Sequence, residues 1–362
     1  MRKFNPFRSL FVAASLAISA FTFTGCSNDD NGPSGAYAED GVFVVVEGNF
    51  GTPNGSISYY NKNTQEAQHN IFGKENEDRP LGDVIQNMVL QNDHAYIVAN
   101  NSNKIEIVNA YTFKSEGVVE GLSSPRYFAA LNSDKGYVTE WLPYNADYSY
   151  NNGRVSVLDL KTRTVIKTIE VGVQPEQLLV AGGKVYVINQ GSSSVSVINS
   201  ATDAVERTIP VTAGPNSIAL DKNNMIWVLS AGNKSWRLPA SEHTAGALTK
   251  INPSSDAIVS TFPFPKATAS ASKLVLNGAK DKLYYQYDGK VYQQSATSAS
   301  LAHTLLIERS FYGLGVDPST GNIYGGEQIG FTGDGTVYIY RPDGTELNTF
   351  TVGTGPNGFV FN

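Results

Sequence analysis

Short apolar or alternating runs of five to eight residues recur along the chain, each broken by Gly, Asn, Asp, Ser or Pro. Runs this short predict β-strands, and the small polar clusters between them predict tight turns. A phrase of four such runs repeats. Its clearest copy reads PEQLLV (175–180), KVYVIN (184–189), SVSVIN (194–199) and VERTIPV (205–211), and PNSIAL then opens the next. The second run occurs seven times, as VFVVVEGN (42–49), AYIVANN (95–101), GYVTEW (136–141), KVYVIN, MIWVLS (225–230), KLYYQY (282–287) and NIYGGEQ (322–328). A third run follows each, from SISYYN (56–61) to TVYIYR (336–341).

Between third and fourth runs stand NKNTQE, DLKTRTV, NSATDAV, NPSSDAI and RPDGTEL, led in most copies by Asn or Asp, whose short side chain can cap its own backbone. The fourth run leads into a Pro-marked loop, as in TIEVGVQP, TIPVTAGP and TFTVGTGP, and Pro suits the start of the next strand. Seven units of four short antiparallel strands predict an all-β fold, a seven-bladed β-propeller over residues 41–362. The ordered part opens on a second strand and ends on a first strand, Pro356–Phe361. That strand can complete the N-terminal blade and close the ring, which a pair of open sandwiches would leave unexplained. Tyr59, Tyr96, Tyr186 and Tyr284 are expected as wedges between blades.

The first 25 residues stand apart. MRKFNPFR is basic, and LFVAASLAISAFTF is an apolar run of 14 residues, short for a membrane span. It ends at Cys26, the one cysteine in the chain. This arrangement resembles a bacterial lipoprotein signal peptide (1–25), with lipidation at Cys26 and residues 26–40 as a flexible tether. The acidic SNDDNGPSG after Cys26 resembles the export signal of Bacteroidota surface lipoproteins, which implies an outer-membrane protein facing the cell exterior. Without Arg2, Lys3 and Arg8 the net charge moves from −6 to −9, so nucleic acid is disfavoured as a partner.

The cadence TIEVGVQPEQLLV…KVYVINQGSSSVSVINSATDAV resembles the YncE-type seven-bladed propellers over Gly41–Asn362. The leader, with VVVEGNFGTPNGSISYYN (44–61), LGDVIQNMVL (81–90) and GVQPEQLLV, is similar to the BtuG-type surface lipoproteins of Bacteroidota. That resemblance implies capture of cobalamin, as a ligand and not a cofactor, and its transfer to a TonB-dependent outer-membrane transporter.

In such a blade the loops between second and third strands share a face with the loops between blades. Here that face carries the unusual loops: EGNFGTPNG, EWLPYNADYSYNNG (140–153), SAGNKSWRLPASEHTAGA (230–247) and GGEQIGFTGDG (325–335). Long loops on a rigid ring are where binding residues gather. The candidates are the aromatics Phe50, Trp141, Tyr144, Tyr148, Trp236 and Phe331, and the amides Asn49, Asn100, Asn189, Gln190 and Gln328. Arg126, Tyr127, Glu176, Asn216 and Asn357 join them beside their prolines. Aromatic faces with amides suit a large, uncharged, hydrogen-bonding ligand, and a corrinoid or a glycan fits. Any one of these Asn residues serves equally as a turn former, and 140–153 reads equally as a ligand wall or a contact with a partner protein.

Catalysis finds less support. His69, His94, His243 and His303 fall in different places, and no nucleophile motif occurs. Glu47, Glu140 and Glu327 lie near second-strand exits and, with Asn100 and Asn189, form the one set that would offer Ca²⁺ its oxygen ligands. The expectation is a binding protein with no catalytic residue, cofactor or metal. A metal-assisted lactonase or lyase is the enzymatic alternative, and a glycan-binding or protein-interaction scaffold the other.

Overall fold

The structure, a computed structural model, describes residues 34–234 and 238–362. Among the described residues, 28 strands form seven four-stranded antiparallel sheets. These are the blades of the expected propeller. The fourth, counted from the N-terminus, has Pro175–Ala181 innermost, then Lys184–Asn189, Ser194–Asn199 and Ala204–Pro210. The other inner strands are Ile85–Gln91, Pro125–Ala130, Pro215–Leu220, Ala271–Leu276, Gly313–Val316 and, for the first blade, Pro356–Phe361. This last strand pairs with Gly41–Val46, so the two ends of the ring share one sheet.

The core lies between blades rather than within one. Seven clusters of buried apolar side chains each draw on two neighbouring blades. Successive side chains of a strand point to opposite faces, and the second strand of each blade has a neighbour on both. Val185 and Val187 therefore pack towards the third blade, while Tyr186 packs towards the fifth. That double burial makes the second runs read as continuous apolar stretches. Tyr59, Tyr96, Tyr186 and Tyr284 are all buried in these seams.

The turns behave as their side chains predict. Asn61 Oδ1 accepts from the backbone N–H of Asn63 and Thr64, Asp159 Oδ1 from Lys161 and Thr162, and Asn199 Oδ1 from Ala201 and Thr202. Two of these turns also tie blades together. Asp203 accepts from the Tyr137 hydroxyl at 2.7 Å, and Asp256 from that of Tyr186 at 2.7 Å. Lys135 and Lys184 reach the same two carboxylates. Tyr37 is fully buried, its ring against Tyr59 and Phe113. The packed body therefore takes in chain ahead of Gly41, where the tether was expected to extend to residue 40. Residues 1–33, with the lipoprotein signal and Cys26, lie outside the described residues.

An ion pair also spans the closing seam. Lys62 of the first blade lies 2.9 Å from Asp317 of the seventh and also meets Asp40. Burial raises the Asp317 carboxyl, but the hydrogen bonds from Ser319 and Lys62 outweigh it and hold the pKa at about 2. An unfolded Asp titrates near 3.9, so this stabilisation is complete above about pH 4 and is lost as pH falls towards the folded value. Asp317→Asn is expected to cost on the order of 2 kcal/mol at pH 7 and almost nothing at pH 2, measured by urea unfolding. An equal deficit at both pH values would show that the carboxylate's charge is not what acts.

Candidate functional site

Near its start, the inner strand of six blades shifts register against the second strand. A bulge of this kind re-aims side chains out of the ladder. It sets Gln86, Arg126, Tyr127, Glu176, Gln177, Asn216, Lys273 and Asn357 around one mouth of the central channel, where each lines one or both of two hollows. The mouth lies on the long-loop face, for Phe50, Asn100, Trp141 and Gln190 line these hollows too. Three adjoin there, of about 490, 340 and 590 Å³.

Arg126 and Glu176 form the buried centre. The guanidinium donates to both carboxylate oxygens at 3.1 and 3.2 Å and to Gln86 Oε1 at 2.6 Å. Its plane lies 4.5 Å from the centroid of Trp141, whose Nε1 donates to the Pro175 carbonyl. Burial works against the charge of Arg126, but the Glu176 carboxylate offsets it and the pKa is raised. Burial pushes the Glu176 carboxyl up, and Arg126 only partly counters this. Across the mouth Glu47 accepts from the Tyr312 hydroxyl at 2.5 Å and from Asn357 Nδ2 at 3.1 Å.

Five of the seven expected amides fall into two groups. Asn100, Asn216 and Asn357 each donate to an inner-strand carbonyl of the next blade, at 2.8–3.0 Å. They are fasteners between blades that also face the hollows. Asn49 and Gln328 brace loops: Asn49 donates to the Phe331 carbonyl, and Gln328 Oε1 accepts from the Gly355 N–H. Gln190 lines two of the hollows. Asn189 corrects the expectation, because it is wholly buried and donates to Ser194 and Ser196 inside its blade.

Of the aromatics, Phe50 is 81% exposed and Phe331 packs edge-on against Tyr312 beside the mouth. Tyr144, Tyr148 and Tyr150 are exposed on the 140–153 loop, and only Tyr150 lines a hollow. Trp236 lies outside the described residues. The carboxylates weighed for Ca²⁺ do not converge. Glu140 is wholly buried and bound by Arg154 and Ser156, Glu327 meets Tyr338 and Arg309, and Glu47 stays with Tyr312. Among the described residues no three His, Cys, Asp or Glu side chains are grouped to hold a metal. His94 lies between Asp93 and Glu116, and His303 packs against Tyr292 with its ring tilted by 35°, each away from the mouth.

Sequence reasoning missed Gln86, Gln177, Lys273 and Tyr312. Gln177 follows a residue that was chosen, and a proline precedes neither Gln86 nor Lys273. Counting from the start of each first run instead of from proline would have pointed to Gln86, Gln177 and Lys273, but not to Tyr312, which precedes an inner strand without a register shift.

Residues 40–354 match a family described as a domain of unknown function, DUF5074. No curated protein matches the chain. Among solved structures it is similar to a quinonprotein alcohol dehydrogenase-like protein from Bacteroides thetaiotaomicron, at TM-score 0.65 and 16% identity over 89% of this chain and 78% of that one. It is also similar to the periplasmic gluconolactonase of Pseudomonas aeruginosa, at 0.65 and 12% over 89% and 98%. A putative 6-phosphogluconolactonase from Bacteroides fragilis matches at 0.62 and 11% over 91% and 100%. At these identities the likeness is one of fold.

Proposed function

The chain belongs to the DUF5074 family, and from that premise we propose that its long-loop face captures a large hydrogen-bonding ligand without turning it over. One observation carries this reading: three adjoining hollows with a polar floor open on a single face that also bears exposed aromatic side chains. Rigid inner strands hold the floor, and loops supply the rim. A corrinoid, flat and fringed with amides, is the first choice of ligand, supported by the resemblance to BtuG-type lipoproteins. The same resemblance supports a lipid anchor at Cys26, a place on the outer cell surface and delivery to a TonB-dependent transporter.

The test is isothermal titration of the purified protein with cyanocobalamin, repeated with Phe50→Ala and Tyr150→Ala. Saturable 1:1 binding is expected, weakened about 5- to 10-fold by each substitution, as loss of one aromatic contact implies. Heat with neither cyanocobalamin nor cobinamide removes the corrinoid. Heat with a neutral oligosaccharide in their place would assign the face to glycans.

A further inference from the structure

Two cations reach the channel mouth, and their surroundings differ. Arg126 is engaged on every side, by Glu176, Gln86 and the face of Trp141. Lys273 stands between the two inner hollows and lines both. Its ammonium lies 5.5 Å from the centroid of the Tyr312 ring, and among the described residues it forms no ion pair, with Glu47 and Glu176 acting on it only through longer-range charge. Burial pulls its pKa down, and the more distant charges of Glu47 and Glu176 restore only part. A desolvated ammonium without a close counter-charge is costly.

The backbone that aims this side chain is itself strained. Lys273 has φ 60°, the left-handed region, inside the bulge of its strand. A residue with a β-carbon there costs on the order of 1 kcal/mol, and such strain gathers where position matters more than stability. Glycine would adopt the same backbone without penalty.

A second donor faces the same space. The Tyr127 hydroxyl accepts from the Gln86 side-chain amide at 3.2 Å, which leaves its own proton to donate. Burial pushes its pKa up to about 12, so the proton is present at neutral pH. Tyr127 lines both of the hollows that Lys273 lines.

We propose that Lys273 and Tyr127 form an oxyanion seat, so that the ligand taken by this mouth carries a carboxylate or phosphoryl group bound by the ammonium and the phenol. This rests on the reading of the mouth as a ligand site and adds the charge class of the ligand. An ammonium and a hydroxyl make charge-assisted hydrogen bonds to an oxyanion, and a neutral ligand leaves the ammonium uncompensated. The seat selects anions at short range, although the chain as a whole is acidic.

The test is isothermal titration with D-glucuronate, D-glucose 6-phosphate and neutral methyl α-D-glucopyranoside. At least one of the two anions is expected to bind saturably, and the neutral glucoside at least 10-fold more weakly; which anion binds identifies the group. Lys273→Gln is expected to weaken that anion 10- to 100-fold, Tyr127→Phe about 5-fold, and Lys273→Arg less than Lys273→Gln. Lys273→Gly separates fold from function, with a melting temperature equal to or above that of the parent and the same loss of anion affinity. No saturable binding of either anion, or unchanged affinity in Lys273→Gln, overturns the proposal. Cyanocobalamin binding that persists unchanged in Lys273→Gln would sink the seat and leave capture standing. Lys273-dependent anion binding without any corrinoid binding would do the reverse to the corrinoid.

Discussion

A chain ending at Gly355 is expected to lose its cooperative unfolding transition altogether. Pro356–Phe361 is the inner strand of the first blade, in register as Val42 opposite Phe361, Phe43 opposite Val360 and Val44 opposite Phe359. Without it the backbone edge of Gly41–Val46 would face the channel unpaired, although every residue in that strand is buried. Phe359 and Phe361, which meet the Tyr324 ring at 5.8 and 5.3 Å, would leave the seam between the seventh and first blades. Asn362 adds a clasp, its amide donating to the carbonyls of Tyr37 and Glu39 and accepting from the Gly41 N–H. Some six net hydrogen bonds at about 1 kcal/mol each, with two Phe side chains at about 2, come to about 10 kcal/mol. That equals the whole stability of a typical domain. Urea unfolding followed by tryptophan fluorescence and far-UV circular dichroism measures it. A sigmoidal transition retained with its midpoint near that of the full chain would mean that the ring closes by other contacts. Asn362→Ala alone is expected to cost about 1–3 kcal/mol and keep the transition.

The architecture was readable because its burial pattern is extreme. A strand such as Lys184–Asn189, with five of six residues buried, can only be a β-element with packing on both faces. The polar turns were readable because Asn61, Asp159 and Asn199 satisfy local backbone donors, an interaction that needs no tertiary partner. The short helix Ile71–Glu75 and the burial of Tyr37 were not readable. Asn70 caps that helix from a left-handed conformation, and Tyr37 is fixed by Phe113 and Glu75, far along the chain.

The site was half readable, and a one-residue register explains the division. Asn189 and Glu140 are the last residues of their second strands, and each is buried beneath a serine of the third strand, Ser196 and Ser156. Asn100, Trp141 and Gln190 stand one place further on and face the hollows. Sequence spacing puts all five at the exit of a strand. Only the ladder register, fixed by cross-strand pairing, shows which side of the exit each occupies. Likewise Pro125, Pro175, Pro215 and Pro356 mark the residues after them in the sequence, while no such marker precedes Lys273.

Arg126→Met is expected to cost about 3–5 kcal/mol at pH 8, because it leaves Glu176 buried and charged without its partner. The pH dependence identifies the cause. Burial already holds the Glu176 carboxyl above its ordinary value, and removing the guanidinium raises it further. A carboxyl raised in the folded state penalises folding above its folded pKa, and the penalty fades as pH falls towards the unfolded value near 4.3. The deficit of Arg126→Met should therefore shrink steadily between pH 8 and pH 4.5 in urea unfolding. A deficit indifferent to pH would point to lost packing on Trp141 instead. The double variant Arg126→Met/Glu176→Met should recover most of the loss, since well-packed apolar residues replace a buried pair at little cost. A double variant no better than the single one would make the pair a stabilising element of the ring. Recovery in the double variant means that stability does not require this pair. The pair, set beside Lys273 and backed by Trp141, is then explained by what the mouth binds.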